Sequence, residues 1–345
     1  MAELTFTVVD DSFGDDGHHQ CGLFSRDWTE EEELNAIQEM FQSGTLSSDT
    51  AIDLAVELLK KHPGNLEINN FLAARYFDED LQIEAADIYE AAYMRAISLV
   101  PKEFSGRIHW QDRDNQSFLR IALGHLQSLL HFGHARRAQA LANKLLRWCP
   151  SDNLGIRFLI GDIKFLLGDM QSALQHYVKQ AENSPVSWYG AALITFRAGD
   201  YVDACTYLRK GIAGNPYVAE ALTGRTLLAN HLYWHGSNIY DCRFALEYLQ
   251  SAGNDWTDAE SDFVDWVFNS AAVLRERASF MEIHEALTVE HDPMRRGPWA
   301  NKSCAFVESI DDQISKLIVR KVVSRWGDQI WPWDRAGHAR PTTRG

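Results

Sequence analysis

Apolar residues recur along most of the chain at the three- and four-residue spacing of an amphipathic helix. The segments "SFLRIALGHLQSLLHF", "GIRFLIGDIKFLL" and "SWYGAALITFRA" each place apolar side chains on one helical face. The start of the chain differs, because "LTFTVV" (4–9) alternates in a strand-like way. The pattern predicts an all-α protein whose first residues are either disordered or add a strand to a partner's sheet edge.

Three helix pairs share one skeleton, in which a Gly is followed after four residues by an Ala and after eleven more by a Pro. The copies are Gly133–Ala138–Pro150, Gly168–Ala173–Pro185 and Gly199–Ala204–Pro216. We expect the Gly to end the first helix in a left-handed conformation, and the small Ala to let the second helix approach closely. Pro then stops the second helix. The repetition predicts stacked helical hairpins.

This skeleton resembles the tetratricopeptide repeat (TPR), a helix–turn–helix unit of about 34 residues. The segments "NQSFLRIALGHLQSLLHFG" and "PSDNLGIRFLIGD" are also similar to a bacterial TPR scaffold family of poorly defined function. The resemblance implies an all-α, TPR-like solenoid of helical hairpins, a right-handed superhelix with atypical terminal helices.

The same resemblance suggests three parts of the chain. We expect an acidic arm over 1–28, a solenoid over 29–250, and a helical cap with a Trp- and Arg-rich tail over 251–345. The clearest repeats are 119–150, 154–185 and 186–218. In the tail, Trp326, Trp331 and Trp333 could form a strap over the end of the solenoid or an exposed docking patch for a partner.

Charge and composition narrow the classes of partner. The 345-residue chain has a formal net charge of −15, which argues against a general nucleic-acid surface, although a basic stripe runs from Arg107 to Arg147. No apolar run reaches the roughly 20 residues of a membrane span, and the first residues lack the pattern of a signal peptide. Five scattered cysteines without a CxxC motif are typical of reduced thiols, so we expect a cytoplasmic protein.

In a TPR solenoid the first helix of each repeat faces a concave groove, so the resemblance implies the partner-binding residues. They are Arg120, Gln127, His131, Phe158, Asp162, Tyr189, Leu193 and Arg197, with Arg136 and Arg137 as a basic contact beside them. The positions at which some TPR domains clamp a carboxylate hold Leu123, Gln127, Phe158 and Asp162, so that clamp is absent. We expect the partner to be a protein segment with apolar anchors and acidic residues.

Two other classes of function stay open. A metal-dependent enzyme or regulator could use "DDGHHQC" (15–21), although its spacing matches no structural zinc pattern. It could also use His231 and His235, which lie one helical turn apart and could ligate zinc but lack the general-base Glu of HExxH. A nucleic-acid-associated helical repeat could use the stripe from Arg107 to Arg147. The sequence favours neither of these two classes. It favours the protein-binding function described above, that of a non-enzymatic adaptor or chaperone, for which we expect no catalytic residue, cofactor or bound metal.

Overall fold

The computed structural model describes residues 4–10, 20–25, 31–225, 242–252 and 255–334. Most of these residues are helical, which confirms the predicted all-α class at this coarse level. The chain divides into two compact units, Met1–Leu167 and Gly168–Gly345. The predicted boundaries at residues 28 and 250 do not coincide with this division, which falls inside the predicted repeat over 154–185.

The described residues of unit 1 form two paired β-strands and seven helices. They are β1 (Phe6–Asp10), β2 (Gln20–Phe24), α1 (Glu31–Gln42), α2 (Ser48–Lys61), α3 (Leu66–Asp78), α4 (Gln82–Ile97), α5 (Arg113–His131), α6 (Ala135–Trp148) and α7 (Ile156–Leu166). Within this unit α4 packs between α3 and α5, and α6 packs between α5 and α7. Since α5 also contacts both α3 and α7, these three helices form a continuous layer.

The described part of unit 2 is also mainly helical. Its elements are α8 (Met170–Gln180), α9 (Ser187–Arg197), α10 (Tyr201–Gly214), α11 (Pro216–Leu222), α12 (Cys242–Ala252), α13 (Asp258–Phe268), α14 (Ala271–Val289), α15 (Pro293–Ser309), α16 (Asp312–Ile318), β3 (Val322–Val323) and β4 (Gln329–Ile330). None of the helices in the described residues has the length and apolarity that crossing a bilayer would require.

The glycine of the predicted skeleton is left-handed in all three copies, with φ of +71° at Gly133 and +82° at Gly168 and Gly199. After Gly133, the His134 N–H donates to the Leu129 carbonyl (2.7 Å), which closes the helix end in a Schellman pattern. Asp80 takes this place between α3 and α4, with φ of +59°. The alanines Ala138, Ala173 and Ala204 are fully buried, as close helix packing requires.

The strand-like start of the chain pairs within the chain itself. β1 and β2 are antiparallel, with Phe6 opposite Phe24, and the Gly22 N–H donates to the Arg107 carbonyl (2.8 Å). The Phe24 ring stacks on Phe118 of α5 with centroids 4.3 Å apart. This apolar packing explains why β1 takes neither expected role, since it is not disordered and its partner strand belongs to its own chain.

Asn115 of α5 fastens the hairpin to the helices. Its side chain is fully buried. Its Oδ1 accepts a hydrogen bond from the Phe24 N–H (3.1 Å), and its Nδ2 donates to the Gly22 carbonyl (3.0 Å). A buried amide that satisfies two backbone groups of β2 fixes the register of the hairpin on α5.

In unit 2, α10 is enclosed by other helices. The second helix of a solenoid repeat would instead be exposed on one side. It packs against α9, α11, α13, α14, α15 and α16. Cys205 and Leu208 are fully buried, and burial raises the pKa of the Cys205 thiol to about 12. The helices over 258–318 therefore cover α10, whose buried residues belong to the apolar clusters of unit 2.

Arg209 on α10 is buried with its charge. Its Nε donates to Glu276 Oε2 of α14 (2.9 Å), and its Nη1 donates to the Asp311 carbonyl (2.6 Å) and to Ser315 Oγ (2.8 Å). Only 2% of the residue is exposed. A buried guanidinium is tolerated when it is both paired and hydrogen-bonded, so this network fixes α14 and α16 on α10.

Two of the three tail tryptophans pack on helices of unit 2, which is the coarser part of the predicted strap. Trp333 is buried against Phe263 (4.9 Å between centroids) and Tyr201 (5.2 Å). Trp331 stacks on Trp333 (5.1 Å). Trp326 is exposed, with the Arg325 guanidinium over its ring. Residues 335–345, which include the predicted Arg-rich end, lie outside the described residues.

We predict that Gly133→Ala lowers the free energy of unfolding by about 1 kcal/mol, because an L-residue is strained at this φ. Asp80→Gly in the equivalent turn removes such strain but makes the unfolded chain more flexible, so we expect a change within about 0.5 kcal/mol. Urea unfolding followed by circular dichroism measures both. Equal stability of Gly133→Ala and the unmodified protein would contradict the left-handed turn.

We predict that Glu276→Gln destabilises unit 2 by about 3 kcal/mol, because it leaves the Arg209 charge buried without a counter-charge. The matched control is Glu285→Gln, which makes the same change at an exposed position of the same helix and should shift stability by less than about 0.5 kcal/mol. Thermal unfolding of the two variants measures the difference, and similar losses in both would refute the role of the ion pair.

Candidate interaction site

The predicted groove residues fall in both units. Arg120, Gln127 and His131 lie on α5, and Phe158 and Asp162 lie on α7, all in unit 1. Tyr189, Leu193 and Arg197 lie on α9 of unit 2. The two groups are therefore considered as separate surfaces.

Tyr189 and Leu193 are not on an open surface. Tyr189 is fully buried, and its hydroxyl donates to the Asn215 carbonyl (2.7 Å). Its burial, the first of several causes, raises the pKa of Tyr189 well above its usual value. Leu193 is also buried. The prediction that these two residues contact a partner is wrong, because both faces of α9 are covered.

Arg197 is held by its own unit. Its Nε donates to Glu260 Oε1 of α13 (2.6 Å), and its Nη2 donates to the Asp255 carbonyl. Burial by itself would raise the pKa of Glu260, but the hydrogen bonds from Arg197 and Thr257 bring it below the usual value. The guanidinium therefore serves to join α9 to α13, and its predicted role as a partner contact is not supported by this geometry.

Arg120 has an internal partner in unit 1. Its Nη1 lies 2.5 Å from Glu67 Oε1 of α3, and the same oxygen accepts a hydrogen bond from Ser117 Oγ (2.8 Å). The guanidinium also lies over the Trp110 ring, 5.4 Å from its centroid. About a third of the Arg120 side chain (37%) stays exposed, so it borders the surface while its charge is compensated. No sequence pattern indicates Glu67 as the partner of Arg120, since the distance between the two depends on how α3 and α5 pack.

Gln127 and His131 lie one turn apart on the same side of α5. Gln127 is exposed. The half-buried His131 ring meets the edge of Phe77 on α3, with centroids 6.4 Å apart. On α7, Phe158 and Asp162 are half-buried and also one turn apart. Four of the predicted residues therefore lie on two neighbouring helices of the α3–α5–α7 layer.

The predicted basic contact is partly neutralised. Arg136 and Arg137 are both exposed at the start of α6, and Arg137 pairs with Glu90 of α4 (2.6 Å). Arg136 forms no ion pair with any residue that the structure describes. With Arg120 paired to Glu67, the stripe from Arg107 to Arg147 is not a continuous row of available cations. This arrangement weakens the nucleic-acid alternative.

His125 is buried close to this surface. Its ring stacks on Tyr93 (5.1 Å between centroids), and its Nδ1 has no hydrogen-bond partner within the described ranges. Burial lowers the pKa of His125, although the nearby Glu90 carboxylate acts in the opposite direction. The imidazole is therefore a neutral part of the core between α4 and α5.

The residues of the metal alternative lie mostly outside the described ranges. These are positions 15–19 of "DDGHHQC" and the pair His231 and His235. Among the residues described, no group of three or more His, Cys, Asp or Glu side chains is placed to hold a metal ion. The five cysteines are not joined by disulfides, and four of them are buried.

Sequence comparison with known proteins does not indicate what this surface binds. No protein-family model matches the chain. A search of curated proteins finds no related sequence either.

We predict that unit 1 loses stability as the pH falls below about 6.5, because the unfolded chain protonates His125 more readily than the folded one. The loss continues down to the lower pKa of the folded state. His125→Leu removes this dependence, whereas the exposed His134→Gln keeps it. The midpoint of urea unfolding, measured between pH 5 and pH 8, tests the prediction. If the midpoint of His125→Leu changes with pH as steeply as that of the unmodified protein, the prediction is wrong.

Proposed function

We propose that the protein is a non-enzymatic interaction scaffold, an adaptor or chaperone of a bacterial cytoplasm, whose helical hairpins are TPR-like repeats. The observation that carries the proposal is the repeated turn, in which the skeleton glycines share one left-handed conformation and buried alanines follow them. The layer of α3, α5 and α7 in unit 1 supports it further, because first helices in contact with one another build a binding face in TPR domains.

The proposed binding face is the surface of the α3–α5–α7 layer, and it uses fewer residues than the sequence predicts. Gln127 and His131 on α5 and Phe158 and Asp162 on α7 remain, with Arg136 and Arg137 beside them. Arg120 lies at the border of the face, where Glu67 holds it. A half-buried Phe beside exposed polar groups is suited to a segment with an apolar anchor and polar or acidic neighbours.

The proposal expects Gln127→Glu to weaken capture of the partner about fivefold, because it places a carboxylate on the face that meets an acidic segment. Gln139→Glu makes the same change at an exposed position of α6, outside the layer, and should leave capture unchanged. The tagged full chain and both variants are used to recover partners from source cells, with quantification by mass spectrometry.

Circular dichroism establishes that both variants are folded. If both variants recover a protein in the same amount as the unmodified chain does, that protein does not bind this face. If every specifically recovered protein behaves so, the binding-face assignment fails. If recovery falls equally in both, general charge repulsion explains the loss, and the assignment fails as well.

A further inference from the structure

A concave surface lies in unit 1, between α2, α3 and α4. It is an open groove of about 490 Å³. Its floor is apolar and consists of Val56, Leu59, Leu72, Tyr76 and Ile88. Leu72 is buried, while the other four are only half-buried, so part of their apolar surface faces the groove. None of the proposed binding-face residues on α5 and α7 lines it.

The rim of this groove carries an excess of negative charge. Lys60 lies on the α2 side, where its Nζ is 2.6 Å from Glu57 Oε1 and its charge is therefore compensated. Glu84 and Asp87 lie on the α4 side, and both are exposed. Neither forms an ion pair with another residue in the described part of the chain. The available charge at the rim is therefore that of two carboxylates three residues apart on one helix.

Two exposed apolar residues lie close to this rim in the sequence, one on α4 and one just before it. Ile83 lies one helical turn before Asp87 on α4 and is 65% exposed. Leu81, just before α4, is 39% exposed. Exposed aliphatic side chains next to an apolar groove provide further contact area for a segment lying along α4.

We propose that this groove binds a cationic amphipathic helix of a partner protein. The apolar face of such a helix would cover Val56, Leu59 and Ile88, and its Lys or Arg side chains would reach Glu84 and Asp87. This is the helix-in-groove mode of recognition, in which apolar anchors supply affinity and rim charges select the partner. The surface and the partner's charge both differ from those of the proposed binding face, so either proposal can fail alone.

The test uses three labelled amphipathic peptides of about 18 residues, long enough for about five helical turns. They share Leu and Ala positions and carry Lys, Glu or Gln at the polar positions. Fluorescence anisotropy with the full chain should show that the Lys peptide binds about tenfold more tightly than the Gln peptide and that the Glu peptide binds least. Equal binding of the Lys and Glu peptides would overturn the proposal.

Variants distinguish binding in the groove from a general attraction of the cationic peptide to this acidic protein. Glu84→Gln with Asp87→Asn should weaken the Lys peptide about fivefold. Glu285→Gln with Glu308→Gln removes two exposed carboxylates from unit 2 and should have no comparable effect. Ile83→Ser should also weaken the Lys peptide, whereas Leu317→Ser, at a residue 57% exposed on α16, should not. Circular dichroism confirms that each variant is folded.

Three further outcomes contradict the proposal. If the unit 2 variants weaken the Lys peptide as much as the groove variants, the peptide recognises net charge alone. If Gln127→Glu, rather than the groove variants, changes peptide binding, the peptide occupies the α3–α5–α7 layer. If sedimentation shows a dimer that Ile83→Ser dissociates, a second copy of the chain is the occupant of the groove.

Discussion

The left-handed residue that closes each helical hairpin is the constraint on which the arrangement of helices depends. A helix can bury its apolar stripe on the next one only if the chain reverses within two or three residues, and a residue with positive φ does so. Gly133 and Gly199 meet this requirement without a side chain, and Asp80 meets it with one. In unit 1 this reversal follows α3 at Asp80 and α5 at Gly133, and the helices α3, α5 and α7 lie in one continuous layer.

In unit 2 the same local turn leads to a different environment. The helix after Gly199 is α10, which becomes the centre of a core instead of the outer helix of a repeat. The cause lies in side chains farther along the chain, since Glu276 and Ser315 supply the groups that satisfy Arg209. A local repeat pattern thus determines how two helices meet, whereas distant polar partners determine what covers them.

The sequence predicted the features that depend on neighbouring residues. Helix periodicity, the turns at Gly133 and Gly199 and the burial of Ala138 follow from spacing within about twenty residues. The predicted partner contacts at Tyr189 and Leu193 fail because both side chains are buried. Tyr189 packs against Tyr248 of α12, almost sixty residues farther along the chain, and no periodicity encodes such a contact. Glu67 and the groove beside Glu84 were missed for the same reason, since each exists only where separate helices meet.

The packing of Trp333 has a consequence for how the protein is made. Its ring completes a core with Tyr201 and Phe263, so a residue late in the chain closes a cluster that begins much earlier. At a synthesis rate of about 10 residues per second, Tyr201 is made on the order of ten seconds before Trp333. During that interval the rings of Tyr201 and Phe263 lack the Trp333 ring that covers them in the folded unit, so this part of the core is completed only when the chain is nearly finished.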